Sequence, residues 1–244
     1  MPHASAEQVL NGMRALSDIA PAVDTIETTE ESTAASRLAF YLTFSSYTVT
    51  SSIVVVAGVV LSTLNKPDVR RRQLASPVSS WRMGFESIAG CAVLALGVCA
   101  WVALAGIGAS GAGALLSSAG AQVALAIASL CAFALVPLSL AYTLAQCGFR
   151  EEALNAIANL GGMVMSFLGG AWVPLSLMGA SVQAVARFTP TFWMHDAVTC
   201  ALGAQEVNAH VLATVGIDLG IIALFAIAIA SAGLVAARLR TTSD

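Results

Sequence analysis

Two carboxylates stand in or beside long apolar runs: Asp218 in the last such run and Glu86 at the start of another. A carboxylate at membrane depth is a functional candidate by default, because burying it charged and unpaired is costly. Asp218 lies towards the outer end of its run, where solvent or a headgroup could reach it, and is a candidate for lining a path. Glu86 stands one helical turn after Arg82 and can pair with it. Hydrolytic chemistry finds little support. Gly108-Ala109-Ser110-Gly111 has the spacing of an intramembrane serine nucleophile, but it lies in a Gly/Ala/Ser-rich connection. His195 and His210 stand outside the interiors of the apolar runs, so the stretch reads as a flexible linker. Glu151-Glu152 opens an E-E-x-x-x-R pattern of membrane proteases, yet position 156 is alanine and the histidine motifs are absent. No G-x-x-x-x-G-K-[ST] loop occurs, and the only lysine, Lys66, stands in NKPD, so no P-loop holds ATP on this chain. The five cysteines contain no C-x-x-C pair, which argues against a zinc site or a disulfide scaffold. The sequence therefore offers no catalytic, cofactor-binding or metal-binding set.

What must position these residues is a membrane bundle. The 244 residues are 57% hydrophobic and 10% charged, with mean hydropathy +0.82. A soluble domain carries roughly 25% charged residues and could not cover its surface with so few. Apolar runs at about 38–64, 83–107, 121–146, 153–173 and 211–237 are each long enough to span a hydrocarbon core, which needs roughly 20 helical residues. They are apolar all round, without the alternation of barrel strands, so the expected fold is all-α and polytopic.

Basic residues orient the bundle. Lys66, Arg70, Arg71, Arg72 and Arg82 cluster between the first two runs, and Arg238 and Arg240 follow the last. Positive-inside bias places this loop, the Cys147–Glu152 turn and the C-terminus in the cytoplasm; the expected location is the cell membrane of a bacterium, crossed several times. Five crossings leave residues 1–37 outside, as an acidic and disordered segment in which TTEEST (Thr28–Thr33) reads as linker. Exporting such a tail without a preceding helix is awkward, and a first transmembrane helix is expected to be missing from this chain.

The stretch from Asn159 to Pro190 is the most distinctive. It begins as a span with glycine pairs, and Ala158, Gly162, Ser166 and Gly170 recur at four-residue spacing, a stripe suited to close helix packing. It breaks at Pro174 and continues as a short amphipathic segment carrying Leu177, Met178, Val182, Val185 and Phe188. It breaks again at Pro190, before a second short piece with Phe192 and Trp193 as interface anchors. Two short helices dipping into the outer leaflet fit this better than another span. In the basic loop, Ser76-Pro77 can open a short interfacial helix, with Trp81 and Arg82 at the membrane surface. The plain reading of Arg70–Arg72 is topogenic, with contact to anionic lipid. Pro137 should kink the third span.

The segments SFLGGAWVPLSLM (Ser166–Met178) and VQAVARFTPTFW (Val182–Trp193), with RRRQLASPVS (Arg70–Ser79), resemble the membrane subunit of ABC-2 type transporters. The similarity spans about 38–240. Such permeases have six helices, and this chain resembles helices two to six, with Gly179 where several members carry proline. The resemblance implies a permease of an ATP-driven exporter, paired with a second permease copy and docked on a separate ATP-binding subunit that uses the ATP. Under it, Arg70, Arg71, Arg72, Ser76, Pro77, Trp81, Arg82 and Glu151 couple to that ATPase. Gly162, Ser166, Gly170, Pro174, Pro190 and Asp218 pack helices or shape the path. Membrane lipids are expected partners and nucleic acid is not. The competing class is a non-transporting membrane scaffold or immunity-type protein.

Overall fold

The computed structural model describes residues 30–66, 68–69, 71 and 80–241, and every regular element among them is helical. Helix α1 (Glu30–Phe44) runs almost directly into α2 (Ser46–Leu64). The interruption at Ser45 has a local cause: the Thr43 and Ser45 hydroxyls donate to the Ala39 and Tyr41 carbonyls, each over 2.7 Å. Hydroxyls bonded back to the preceding turn bend helices. The helix begins at Glu30, inside the TTEEST run expected as linker. Helix α3 (Ser80–Ser110) is followed by a turn at Gly111 (φ +70°) and the single turn α4 (Leu115–Ser118).

Helices α5 (Gly120–Phe133) and α6 (Leu135–Cys147) form the next span, broken at Ala134. Pro137 explains the break, because its ring has no N–H for the Phe133 carbonyl and collides with it. Gly148, in the left-handed region at φ +77°, ends α6. The span expected at 153–173 is built differently. Helix α7 (Glu151–Ala156) passes into a π-helical stretch, Ile157–Gly161, then α8 (Gly162–Leu168), and stops five residues earlier than expected. Gly170 (φ +85°) turns the chain there, and the Ala171 N–H caps the Ser166 carbonyl at 3.0 Å. A 3-10 turn (Leu175–Leu177), α9 (Ala180–Ala186) and α10 (Pro190–Gly203) follow, and the long α11 (Ala209–Thr241) closes the chain.

Among the described residues four helices are long and apolar enough to cross a membrane: 34–64, 85–110, 120–147 and 209–238. Each overlaps its expected run, with ends displaced by no more than four residues. Apolar side chains lie both inside and outside the bundle. Leu38, Leu42, Leu130, Phe133, Met194 and Ile222 are enclosed, whereas Trp101, Leu104, Ile217, Leu224 and Ile227 are exposed. An apolar exterior of this extent is a lipid-facing surface. Helix α10 is more deeply set than a leaflet-dipping piece would be, with Met194, Ala197, Val198 and Ala201 fully buried against α1, α5 and α11.

Candidate functional site

At one end of the bundle lie the end of α2 and the starts of α3 and α7. The Asn65 amide ties this end together, donating to the Ala145 carbonyl at 3.4 Å. Arg71 is helical and exposed. Arg82 donates through Nε to Glu86 Oε1 at 2.8 Å, the expected one-turn pair, with both side chains largely in solvent. A pair so exposed contributes little stability and leaves the guanidinium available. Glu151 and Glu152 occupy the first turn of α7, where carboxylates suit the positive end of the helix dipole. Arg82 and Glu151 thus share one end of the molecule. Arg70, Arg72, Ser76 and Pro77 lie outside the described residues; Trp81 falls within α3.

The glycine-rich run packs antiparallel to α2. Ser46 Oγ donates to Ser166 Oγ at 2.9 Å, both side chains fully buried. A Cβ added to Gly162 would stand 3.3 Å from Thr50 Cγ2, and Ala158 and Leu154 are buried on the same face. The small-residue stripe therefore serves close approach of the two helices.

Beside this buried stripe runs a polar seam that the sequence reading did not single out. The Tyr47 hydroxyl donates to Asn159 Oδ1 at 2.9 Å, and Ser51 Oγ donates to the same oxygen at 3.0 Å. Asn159 Nδ2 donates to the Asn155 carbonyl at 2.8 Å, and Asn155 Nδ2 to the Glu151 carbonyl at 3.0 Å. Asn159 sits in the π-helical stretch, where wider winding leaves carbonyls that its amide can satisfy. Asn155 and Asn159 are exposed, flanked by exposed Leu160, Met163, Val164 and Phe167. The available signal was two asparagines four apart in an apolar run; the hydroxyl partners of Asn159, more than a hundred positions earlier, were not visible.

The turn after α8 is tightly built. A Cβ on Gly169 would come within 2.9 Å of the Thr191 carbonyl carbon, and one on Gly170 within 2.8 Å of Leu175 Cγ. Thr191 Oγ1 donates to the Met165 carbonyl at 2.5 Å, and Gln183 Nε2 donates to the Leu175 and Met178 carbonyls at 2.8 and 2.9 Å. Pro174 is exposed; Pro190 is buried in the first turn of α10, where its missing N–H is harmless. Leu177, Val185 and Phe188 point outward, so the apolar face of α9 is offered to the surroundings.

Asp218 is enclosed, at 2% exposure, and its Oδ2 has no hydrogen-bond partner. Solvent does not reach it, contrary to the expectation from its position in the run. It lies near α10: burial first, then the Asp196 and Asp218 carboxylates, push the Cys200 thiol upward. Burial also pushes the His195 imidazole below its ordinary range, with Asp196 as a weaker opposing influence.

No curated protein and no solved structure matches this chain. One family, described as ABC-2 family transporter protein, matches over residues 4–235. That match covers nearly the whole sequence. The chain belongs to the ABC-2 transporter family and is a membrane permease component of that class.

Proposed function

We propose that this chain is one permease half of an ATP-driven exporter, moving its substrate outward with a separate ATP-binding subunit and a second permease copy. The polar seam of Tyr47, Ser51, Asn155 and Asn159 carries the reading. Both amides are bonded within the chain, yet each spends only one of its two N–H donors that way, and hydrogen-bonding capacity left facing a medium that cannot hydrogen-bond is costly. A seam of amides and hydroxyls on the outside of a membrane bundle is therefore best covered by a second copy, or opened onto a polar path between copies.

The rest of the assembly follows from topology. The run Glu151–Leu168 rises ~27 Å at helical pitch, close to the about 30 Å of hydrocarbon, and counts as a fourth of five crossings. Arg71, Arg82 and Glu151 then stand on the cytoplasmic face with the C-terminus, where the ATP-binding subunit docks; this chain itself binds no nucleotide. Lipid surrounds α3 and α11. The α9–α10 hairpin forms the outer end, with Gly170, Pro174 and Pro190 setting its bends.

Affinity purification of the tagged chain from its native membrane tests the docking. A P-loop ATPase should co-elute, and the Arg71→Glu, Arg82→Glu double variant should lower its recovery at least tenfold at equal yield of the chain. Absence of any ATPase, or recovery unchanged by the charge reversals, contradicts the reading.

A further inference from the structure

All five cysteines are free, and two of them, Cys99 on α3 and Cys131 on α5, share a hydrogen bond between their thiols. Cys99 Sγ also lies 3.9 Å from the Leu130 carbonyl oxygen, which holds it against the turn of α5 that bears Cys131. Both stand near the middle of their spans, 85–110 and 120–147, and so at hydrocarbon depth. Among the described residues Cys99 is fully enclosed, whereas Cys131 is only partly buried. The other three have different surroundings. Cys91 packs in a separate cluster with Ala57 and Ala141, Cys200 lies near Asp196 and Asp218, and Cys147 is exposed at the end of α6. A buried cysteine alone behaves as a small hydrophobe. Two in thiol contact on different helices can also exchange their hydrogens for a covalent bond. Helix α3 is the more loosely held of the two partners: 28% of its apolar stretch is buried among the described residues, against 50% for α5–α6.

We propose that Cys99 and Cys131 are a reversible dithiol–disulfide pair, oxidised by a lipid-soluble hydroperoxide and fastening α3 to α5 in mid-membrane. Cys131, the less enclosed sulfur, attacks the terminal peroxide oxygen. The O–O bond breaks, the hydroperoxide leaves as its alcohol with the Cys131 proton, and Cys131 becomes a sulfenic acid. Cys99 then attacks the Cys131 sulfur, the S–O bond breaks, and the hydroxyl departs as water with the Cys99 proton. Two thiols and one hydroperoxide thus give one disulfide, one alcohol and one water. A thiol reductant reverses the bond by exchange, itself becoming a disulfide. The hydrogen bond between the thiols serves both steps. A sulfur that accepts an S–H bond bears developing negative charge more easily, and the same contact holds the second thiol beside the sulfenic acid. Polar oxidants partition poorly to this depth, whereas hydroperoxides on apolar chains reside there. That the fastened α3 slows export rests on the permease reading; the bond itself does not.

The test uses the full chain in native membranes, treated with cumene hydroperoxide, blocked with N-ethylmaleimide, digested and read by mass spectrometry. A linked Cys99–Cys131 peptide should appear roughly tenfold faster or more than oxidation of Cys91, a thiol as deeply buried on the same helix with no cysteine in its cluster. Dithiothreitol should restore both thiols. Hydrogen peroxide at equal concentration should be slower by roughly tenfold or more, because it must leave water to reach the pair. With dimedone present to trap sulfenic acid, Cys99→Ala should stop at a labelled Cys131, and Cys131→Ala should leave Cys99 unlabelled. If either variant fails to fold, the linked peptide in the unsubstituted chain still decides. Oxidation of Cys91 at the same rate, a sulfenic acid on Cys99 in place of Cys131, linkage that forms only once the membrane is dissolved in dodecyl sulfate, or equal rates with the two peroxides overturns the proposal. A linked peptide in a chain that recovers no ATPase would sink the permease reading and leave the pair standing; the reverse pair of results would do the opposite.

Discussion

Tyr47 and Asn159, 112 residues apart in sequence, meet through a 2.9 Å hydrogen bond on a face of the bundle that the described residues leave open. The bond joins α2 to the π-helical stretch, so the widest winding among the described residues carries an exposed polar side chain. π-Turns recur at functional sites because they leave backbone groups for other partners. Here that surface is what separates a path-forming permease from a helical anchor.

If the seam serves function rather than folding, removing it should cost little stability. Interhelical hydrogen bonds within membranes average about 0.6 kcal/mol. Tyr47→Phe and Asn159→Leu should therefore shift the thermal midpoint in detergent by no more than a few degrees, while association of copies in the membrane falls. A collapse of folding in either variant would make the seam structural.

The turn after α8 should behave oppositely. Gly170→Ala, at φ +85° and against Leu175, is expected to cost more than about 1 kcal/mol. Gly169→Ala should cost more still, since the obstruction is Thr191 Oγ1 and Cβ with the Thr191 backbone close behind. Gly220→Ala in α11, where a Cβ meets nothing, should be neutral or stabilise by up to about 1 kcal/mol. Thermal unfolding of the three side by side checks the order.

Asp218 is enclosed with one oxygen unpartnered. Asp218→Asn retains its shape and removes the possibility of a buried charge, so the midpoint should hold or rise. A loss above about 2 kcal/mol would show that a charge at this position supports the fold.

His195 makes stability depend on pH. Burial lowers its folded-state value, so the unfolded chain takes up the proton first as pH falls. This contribution is complete above the ordinary imidazole value of 6.5 and declines as pH drops below it. The wild-type midpoint should fall between pH 7.5 and 5.5, and His195→Gln should flatten that fall. Equal slopes would contradict the assignment.

How much of this was written in the sequence depends on range. The helical, membrane-bound class followed from composition, the break at Ala134 from Pro137, and the Arg82–Glu86 pair from one-turn spacing; each has a local cause. The turn at Gly170 was signalled by its glycine pair, but its position before Pro174 depends on Thr191 closing over Gly169. The seam and the Cys99–Cys131 pair were invisible, because their character depends on residues distant in sequence. Asp218 shows the limit of reading depth along one helix: α10 packs over it, and only the tertiary arrangement reveals that.

The account stands most directly on what covers the seam. In a chain with Cys91, Cys99, Cys131, Cys147 and Cys200 all replaced by alanine, Leu160→Cys and Trp101→Cys place single thiols at positions of comparable exposure, 67% and 74%, on the seam and on the lipid face of α3. With a short bis-maleimide in native membranes, Leu160→Cys should give a covalent dimer and Trp101→Cys should not. Dimer formation through Trp101→Cys, or none through Leu160→Cys, would contradict a second copy packed on the Tyr47–Asn159 face.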